Sequence, residues 1–402
     1  AVLEVANGAV VGDADGLSGD LDLDNLDGTN GFSFYSGYFG PDQLGGSIAG
    51  GGDLNGDGID DLVVGAPGSN GSRGDIFIVF GSTDGFVAEF SDADIGGAVG
   101  GTTVNGDTIS AQFGYSVDII GDFDGDGFDD LVVGEPFGNA GGNSYVIFGA
   151  ANLTIDTTIT NVLEGSARAI QISAGEFADR LGESVSAAGD VNNDGFDDLI
   201  IGASGTDAGL NNRGAAHVVF GSANPQDVDA SQLAVDGLQG FSILGDAALE
   251  GIGNAVDGGR DVNGDGIADI VVGASSVNYG GTVTGEVIVV FGSGDGFASS
   301  IAPGTLDGTD GLVIRGEVGG ADEIGGTVAL VEDVNGDGFD DIAFSSVGAF
   351  SYNGGAEVYD STFIIFGRDS SGAAQVGEAG DDELTGDENA NLLVGAQGND
   401  TL

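Results

Sequence analysis

Short apolar runs alternate with stretches rich in glycine and aspartate along most of the chain. In DFDGDGFDDLVVG, residues 122–134, five aspartates occupy the first nine positions and an apolar run follows directly. The surrounding segment contains four short runs of β-branched and aromatic residues, GYSVDII, DLVVG, NSYVIFG and ARAIQIS. Such runs, bounded by Gly, Asn and Asp, predict β-strands, and no stretch has a convincing helical period. The pattern therefore predicts an all-β fold.

The acidic segment and its flanking runs recur five times, and each copy ends in a strand-like run that closes with Phe-Gly. The copies follow one another at intervals of 69, 68, 71 and 72 residues, and their acidic segments start at Asp53, Asp122, Asp190, Asp261 and Asp333. A four-stranded unit of about 70 residues repeated around an axis is typical of a β-propeller blade. We therefore predict a five-bladed β-propeller of four-stranded blades.

The two ends of the chain predict how the ring closes. The fifth copy supplies three strands by Gly367, and the segment after it offers no fourth. LDGTNGFSFYSG, residues 26–37, closely matches LDGTDGLVIRGE from Leu306, which occupies the fourth-strand position of the fourth copy. We expect the N-terminal strand to complete the last blade and so remove its free edge. The predicted divisions are a linker at 1–25, the propeller at 26–367 and a C-terminal segment at 368–402.

The charge balance narrows the function. The chain has 66 acidic residues against seven arginines, a formal net charge of −59, yet 41% of its residues are hydrophobic. That hydrophobic share predicts a folded core, and the acidic surface attracts cations and excludes nucleic acid as a partner. The chain contains no run of eighteen apolar residues, which membrane insertion would require, and no signal segment is visible. The lack of cysteine excludes disulfides. We expect a soluble protein and, because it begins at Ala1, a fragment of a longer one.

The repeat resembles the FG-GAP repeat of the integrin α-subunit propeller and its bacterial relatives, over roughly residues 26–367. The residues that carry the resemblance are FGYSV at Phe113, the acidic loop, and VGAP at Val64. The fifth copy departs most, with FSSV at Phe344. The integrin propeller has seven blades, whereas the termini of this chain have no room for two more. The resemblance implies an extracellular propeller of the integrin α type.

Loops of the form DxDxDGxxD account for the repeated negative charge. Oxygen atoms at positions 1, 3, 5 and 9, with the backbone carbonyl of position 7, can surround one hard cation, and Gly at position 6 permits the sharp turn. We therefore predict Ca²⁺ as the cofactor, with one ion in each loop. The predicted side-chain ligands are Asp53, Asn55, Asp57, Asp61, Asp122, Asp124, Asp126, Asp130, Asp190, Asn192, Asp194, Asp198, Asp261, Asn263, Asp265, Asp269, Asp333, Asn335, Asp337 and Asp341. The predicted carbonyl ligands belong to Ile59, Phe128, Phe196, Ile267 and Phe339.

Other interpretations of these loops fit less well. An EF-hand would carry glutamate at position 12, where this chain has an aliphatic or aromatic residue, and helices instead of strands would flank the loop. Acidic turns that merely solvate strand ends are a further alternative, but five copies with identical spacing favour a cation. Mg²⁺ fits poorly because it demands tight octahedral geometry.

A second motif lies near the C-terminus. GEAGDDELT from Gly377 and GAQGNDTL from Gly395 lie 18 residues apart, which is two nonapeptide lengths. Both resemble the GGxGxDxUx repeat of RTX proteins, a parallel β-roll that binds Ca²⁺ between its turns, although the second glycine is replaced in each. The resemblance implies further calcium sites and export by type I secretion, and so an extracellular or cell-surface location in bacteria.

Little else in the sequence suggests catalysis. His217 is the single histidine and lies in a predicted strand, where we expect a packed side chain. Without cysteine or lysine, the chain lacks most of the residues that a His-based triad or a Schiff base requires. The carboxylates recur in every copy, so no one pair stands out as the catalytic pair of a glycosidase. RGD at Arg73–Asp75 is interpreted as a strand entry, because the third copy has NRGAA at the equivalent place. We predict no enzymatic activity.

Two function classes remain. The leading one is a calcium-binding extracellular adhesion or structural module of a surface protein or filament. Its partners would be other protein or glycan surface components, or copies of itself. The alternative is a glycan-binding or glycan-cleaving propeller, which clustered exposed aromatic residues would favour. Aromatic residues make up only 7% of the chain, and this favours the adhesion or structural module.

Overall fold

The structure is a computed structural model that describes most of the repeat region. The described residues are 23, 26–37, 41–151, 153–154, 157–165, 168–174, 179–206, 213–246, 250–279, 282–316, 323–350, 359–368, 375–376 and 393–394. The predicted linker at 1–25, apart from Leu23, lies outside these residues. Both RTX-like motifs also lie outside them.

Each of the five sequence copies forms its own antiparallel sheet, which we number 1 to 5. Sheet 1 contains β2 (Ser47–Gly52), β3 (Asp61–Ala66), β4 (Asp75–Val79) and β6 (Gly101–Asn105). Sheet 2 contains β7 (Val117–Gly121), β8 (Asp130–Glu135), β9 (Asn143–Ile147) and β11 (Ala169–Ser173). Sheet 3 contains β12 (Ser184–Gly189), β13 (Asp198–Ala203), β14 (Ala215–Val219) and β16 (Gly240–Leu244). The four strands predicted for the second copy are thereby confirmed.

The last two sheets follow the same order. Sheet 4 contains β17 (Ala255–Arg260), β18 (Asp269–Ala274), β21 (Glu286–Val290) and β23 (Gly311–Arg315). Sheet 5 contains three described strands, β24 (Ile324–Val331), β25 (Asp341–Phe350) and β26 (Tyr359–Ile365). The described part of the chain is thus mostly β, as predicted, with antiparallel four-stranded units in the first four copies.

The hydrophobic cores lie between consecutive sheets. One cluster joins sheets 1 and 2, and equivalent clusters join sheets 2 and 3, 3 and 4, and 4 and 5. In sheets 1 to 4 the second and third strands are buried along their whole length. Because both faces of these strands are covered, apolar residues dominate their sequences and do not alternate with exposed polar ones.

Short helical segments occur in the connections. They are α1 (Ser69–Ser72), α2 (Ile159–Gly165), α3 (Ala230–Asp236), and 3₁₀ turns at Asp92–Asp94, Asn139–Gly141 and Pro303–Thr305. The sequence did not predict the seven-residue helices α2 and α3. At α3 the Asp229 side chain accepts the N–H of Ser231, and Leu233 is buried. Two turns contain too few residues for a clear helical period, so these caps and contacts define the helix. No helix in the described ranges is both long enough and apolar enough to cross a membrane.

A short parallel strand follows the third strand of sheets 1 to 4 and lies on the preceding unit. β10 (Thr157–Thr158) pairs with β6, β15 (Val228–Asp229) with β11, and β22 (Ser300–Ile301) with β16. In the first copy, β5 (Glu89–Ser91) pairs in the same way with the N-terminal strand β1 (Ser33–Tyr35). β1 therefore occupies the place of a fourth strand that precedes sheet 1.

The N-terminal segment also folds like the fourth-copy segment that it matches in sequence. Thr29 donates its backbone N–H to Asp27 at 2.9 Å, and Thr309 donates to Asp307 at 3.0 Å. The glycine that follows each aspartate has a positive φ. The predicted pairing of β1 with the third strand of sheet 5 is not observed, since among the described residues β26 pairs only with β25.

Two small pairs complete the described elements. β19 (Asn278–Tyr279) pairs with β20 (Thr282–Val283). Near the C-terminus, β27 (Gln375–Val376) pairs in parallel with β28 (Leu393–Val394), and Gln375 lies opposite Leu393. This offset of 18 residues equals the spacing of the two RTX-like motifs. The β-roll itself stays a prediction.

Candidate metal centres

Each acidic loop connects the first and second strands of its sheet. In sheets 1 to 4 the first strand ends in a register shift beside the loop, for example between Ile119 and Gly121 in sheet 2. Such a bulge bends the strand, and the second strand begins at the ninth position of each loop. All five predicted loops therefore lie at the same place in their sheets.

The loop backbone folds around its own aspartate side chains. In the second loop, Asp122 accepts the N–H groups of Asp126 and Gly127, each at 3.0 Å. Asp124 accepts the N–H of Asp126 at 3.0 Å, and Asp126 accepts that of Phe128 at 3.1 Å. The same bonds recur in the other four loops at 2.7 to 3.2 Å. One repeated bonding scheme thus fixes the side chains at positions 1, 3 and 5.

The glycine at position 6 is required by the backbone. Its φ lies between 84° and 97° in all five loops, at Gly58, Gly127, Gly195, Gly266 and Gly338. Side chains with a Cβ rarely adopt this conformation. The predicted sharp turn at position 6 is therefore confirmed.

The aspartate at position 9 is buried, and backbone donors hold both of its oxygens. Asp130 accepts the N–H of Phe123 at 3.0 Å with Oδ2, and the N–H of Gly149 at 2.8 Å with Oδ1. The exposed fraction of this residue is 3% at Asp61 and 0% at Asp130, Asp198, Asp269 and Asp341. The sequence predicted a ligand here but not this structural role.

Burial of position 9 has an electrostatic consequence. It raises the pKa of Asp61 to about 7 and that of Asp130 to about 8, with the other carboxylates of each loop as lesser causes. Burial likewise raises the pKa of Asp198 to about 8 and that of Asp269 to about 7. A nearby cation would favour the ionised form of each carboxylate.

The second loop shows the closest gathering of carboxylates. One oxygen from each of Asp122, Asp124 and Asp130 lies within 4.8 Å of the others. The other four loops carry asparagine at position 3, which offers a neutral amide oxygen instead. Burial, followed by the charge of Asp126, raises the pKa of Asp124. The predicted ligands thus provide oxygen donors, which suit a hard cation such as Ca²⁺.

Arginine does not neutralise these carboxylates. In the described part of the chain, the acidic partners of arginine are Glu183, Glu286, Glu332 and Asp340. Asp340 occupies position 8 of the fifth loop and is not a predicted ligand. These ion pairs of arginine therefore lie outside the predicted ligand sets.

The structure agrees with the other side-chain interpretations. His217 is buried, its Nδ1 lies 2.9 Å from the Ser242 hydroxyl, and burial lowers its pKa to about 4. Asp75 of the RGD segment begins β4, is buried and accepts hydrogen bonds from Ser69 and Asn70. Both residues are packed parts of their sheets.

Four segments of the chain match the model of the FG-GAP repeat, at residues 44–79, 113–147, 181–219 and 252–290. Each match begins at or shortly before the first strand, includes the acidic loop and ends at the third strand. The fifth copy is outside these matches. The chain therefore carries four FG-GAP repeats.

Curated relatives point to the same family. The chain is 30% identical to integrin alpha pat-2 of Caenorhabditis briggsae, over 60% of this chain and 19% of that protein. It is 34% identical to integrin alpha-V of Gallus gallus, over 39% of this chain and 14% of that protein. It is 31% identical to phosphatidylinositol-glycan-specific phospholipase D of Dictyostelium discoideum, over 42% of this chain and 19% of that protein. The matches support an FG-GAP, integrin-type family, and this chain spans less than a fifth of the length of these relatives.

Proposed function

We propose that this chain is a calcium-binding module of an extracellular adhesion or structural protein. The observation that carries the proposal is the acidic loop, which occurs five times with one hydrogen-bonding scheme, while the ion pairs of arginine among the described residues lie outside its ligand positions. In each loop the ion would be held by the side chains at positions 1, 3, 5 and 9 and by the carbonyl of position 7. When bound, Ca²⁺ would offset part of the negative charge of each loop and hold the connection between the first and second strands in place.

The integrin alpha relatives support an adhesive role over the glycan-binding alternative. Three aromatic side chains of the described residues are exposed: Tyr35 lies on β1, Phe137 follows β8 and Phe366 follows β26. They do not form the clustered aromatic surface that a glycan site would favour. The partners of this module would therefore be other proteins of the cell surface, or copies of itself. We propose no catalytic residue.

Five-bladed closure also belongs to the proposal, and the uncovered face of sheet 5 supports it. Ile364 on β26 is 40% exposed, whereas its equivalents in the first four sheets, Ile78, Val146, Val218 and Val289, are 0% exposed. In the first four sheets the next sheet covers this position. β1 pairs with β5 and packs against sheet 1, which is how the fourth strand of a preceding sheet would lie. Pairing of β1 with β26 would complete sheet 5 and cover Ile364.

The C-terminal segment bears on location. The parallel pairing of β27 with β28 at an offset of 18 residues supports an RTX-like β-roll, as the nonapeptide motifs predict. We propose that this segment binds further calcium and directs type I secretion, so that the module acts outside the cell or at its surface.

Calorimetric titration with Ca²⁺ tests the central claim. We expect about five sites, with dissociation constants on the order of 10⁻⁴ to 10⁻³ M, as in extracellular calcium modules. Asp122→Asn should remove or weaken one site and leave the others. Binding of one ion or none by the parent protein would refute the proposed function.

A further inference from the structure

Neighbouring acidic loops are bonded to one another through position 8. The Asp129 carboxylate, in the second loop, accepts the backbone N–H of Asp53, the first residue of the first loop, at 2.7 Å. Two further pairs repeat this contact between consecutive loops: Asp197 with Asp122 at 2.9 Å, and Asp340 with Asp261 at 3.2 Å. Each of these aspartates accepts a donor from the residue that begins the preceding ligand set.

The residue at position 7 strengthens the same contacts. The ring of Phe128 lies over Gly56, so that a Cβ on this glycine would stand 2.2 Å from the ring. Phe196 covers Gly125 and Phe339 covers Gly264 in the same way, at 2.5 and 2.3 Å. Position 4 must therefore be glycine wherever the next loop presents phenylalanine.

The contact is missing between the third and fourth loops. Position 8 of the fourth loop is Ala268, which has no acceptor, and position 7 is Ile267. Position 4 of the third loop is correspondingly Asn193, with a φ of 57°. A backbone hydrogen bond that joins every pair of consecutive loops is nevertheless present here, from the N–H of Ser293 to the carbonyl of Val191 at 2.8 Å. The two sheets are thus neighbours like the others and differ at the position 8 contact.

We propose that Asp129, Asp197 and Asp340 are positioning residues that couple calcium binding in neighbouring loops, within two separate groups. The first, second and third loops form one group, and the fourth and fifth form the other. This inference rests on the proposed calcium function and names its regulation.

The coupling follows from where the aspartate lies in the chain. Asp129 stands between the carbonyl ligand Phe128 and the side-chain ligand Asp130. An ion in the second loop fixes both neighbours of Asp129, and with them the acceptor that holds the first loop at Asp53. Binding in the first loop must favour binding in the second by the same factor, because equilibrium coupling between sites is reciprocal.

Calcium titration followed by NMR tests the coupling loop by loop. The amide at position 6 donates to the position 1 carboxylate in every loop, so Gly58, Gly127, Gly195, Gly266 and Gly338 report on their own ions. Asp129→Ala should raise the calcium midpoint at Gly58 by at least about five-fold, the lower range of typical coupling between sites. The midpoints at Gly266 and Gly338 should not move.

Two variants separate the hydrogen bond from other effects. Asp129→Asn removes the charge but keeps an acceptor oxygen, so its midpoint at Gly58 should stay below that of Asp129→Ala. Ala268→Asp supplies the missing acceptor and removes no side-chain hydrogen bond, so it should lower the calcium midpoint at Gly195. If Asp129→Ala and Asp129→Asn give equal midpoints at Gly58, or if Ala268→Asp leaves Gly195 unchanged, the coupling is refuted. A parent protein in which no glycine amide responds to calcium would instead refute the proposed function.

Discussion

Gly149 donates its backbone N–H to Oδ1 of Asp130 at 2.8 Å, which bonds the Phe-Gly end of the third strand to the last position of the acidic loop. The same pair recurs in the other copies at 2.9 to 3.0 Å. A Cβ at residue 149 would stand 2.2 Å from the carbonyl oxygen of Asp129, so glycine is required. This contact explains why the acidic loop and the Phe-Gly end occur together in every copy.

The position 9 aspartate should therefore be needed for more than its charge. Asp198 holds two buried backbone N–H groups, those of Val191 and Gly221. In Asp198→Asn only one oxygen remains, and the buried amide NH₂ faces a backbone N–H instead of an acceptor, although the N–H of Val191 keeps a second acceptor in the Gly189 carbonyl at 3.0 Å. In saturating calcium we expect this variant to lose about 1 to 3 kcal/mol of unfolding free energy, the cost of an unpaired buried donor, beyond any loss of calcium affinity.

Asp194→Asn is the matched control for that prediction. Asp194 lies at position 5 of the same loop, is exposed and holds a single N–H, that of Phe196, with one oxygen. An asparagine can keep this bond. Urea unfolding of both variants in calcium compares them directly, and equal stabilities would contradict a structural role of Asp198.

The sequence predicted the strands and loops well because each depends on local chemistry. The β-branched runs became the strands of sheets 1 to 4, and the spacing of oxygen donors around Gly127 correctly predicted the turn. Contacts between copies were not predictable from any one copy. The bond from Asp53 to Asp129 joins residues 76 positions apart, although the doublet Asp129–Asp130 and its replacement by Ala268–Asp269 were visible signals. Helix α3 was missed because its two turns give no clear helical period and because Leu233 is buried only once the sheets have formed.

The second loop should depend on calcium more than the first. Its ligand set has a fourth side-chain carboxylate, Asp124, where the first loop has Asn55. Without a cation, two carboxylates about 5 Å apart repel by about 1 kcal/mol even at water-like permittivity. Asp124→Asn should weaken calcium binding at this loop and narrow the difference in Tm between calcium and chelator.

The reciprocal substitution Asn55→Asp supplies the control. It adds a carboxylate to the first loop and should widen the same difference in Tm. Monovalent salt screens repulsion but cannot supply a shared centre for the ligands, so it should restore only part of the stability lost in chelator. Full recovery in salt alone, or identical Tm values in calcium and chelator, would show that the loops hold no structural ion.

Ring closure predicts a specific register between β1 and β26. In sheet 4, Arg315 lies opposite Glu286. Residues 26–37 align with the segment from Leu306, so that Tyr35 corresponds to Arg315, and alignment of Gly367 with Gly292 makes Ser361 correspond to Glu286. Tyr35 should therefore lie opposite Ser361. Residues opposite one another in antiparallel strands have Cα atoms about 4.5 to 5.5 Å apart, which suits a disulfide. In a chain that contains no cysteine, Tyr35→Cys combined with Ser361→Cys should form a disulfide within one monomer.

A neighbouring pair tests the register. Tyr35→Cys combined with Thr362→Cys should cross-link poorly, because a shift of one residue turns the side chain to the other face. Mass spectrometry under non-reducing conditions distinguishes the products. A disulfide between two chains would mean that another copy supplies the strand, and the absence of any disulfide would mean that β1 does not pair with β26; either result contradicts closure within the chain.

Two partly buried carboxylates, Asp118 and Asp257 on the first strands of sheets 2 and 4, should make stability depend on pH. The Ser186 hydroxyl lies 3.0 Å from Asp118 and 2.9 Å from Asp257, yet its single proton can serve only one of them. Burial raises the pKa of both carboxyl groups, partly offset by backbone N–H donors and, at Asp257, by Arg260. At these two groups the folded protein therefore binds more protons than the unfolded chain above about pH 4, the ordinary carboxyl range. The stability that this pair contributes should be present at low pH and decline as the pH rises through the folded-state pKa values.

Asp118→Asn should remove much of this dependence. The asparagine oxygen can still accept the N–H of Ala187, which Asp118 holds at 2.9 Å, and the Ser186 proton is then left for Asp257. We expect a higher Tm than that of the parent at pH 7 and a smaller difference between them at pH 4, both measured at one calcium concentration. Asp236→Asn alters an exposed carboxylate and should leave the profile of the parent unchanged. If Asp118→Asn gives a profile parallel to that of the parent, the two carboxylates do not compete for the Ser186 proton, and the pH dependence must arise elsewhere in the molecule.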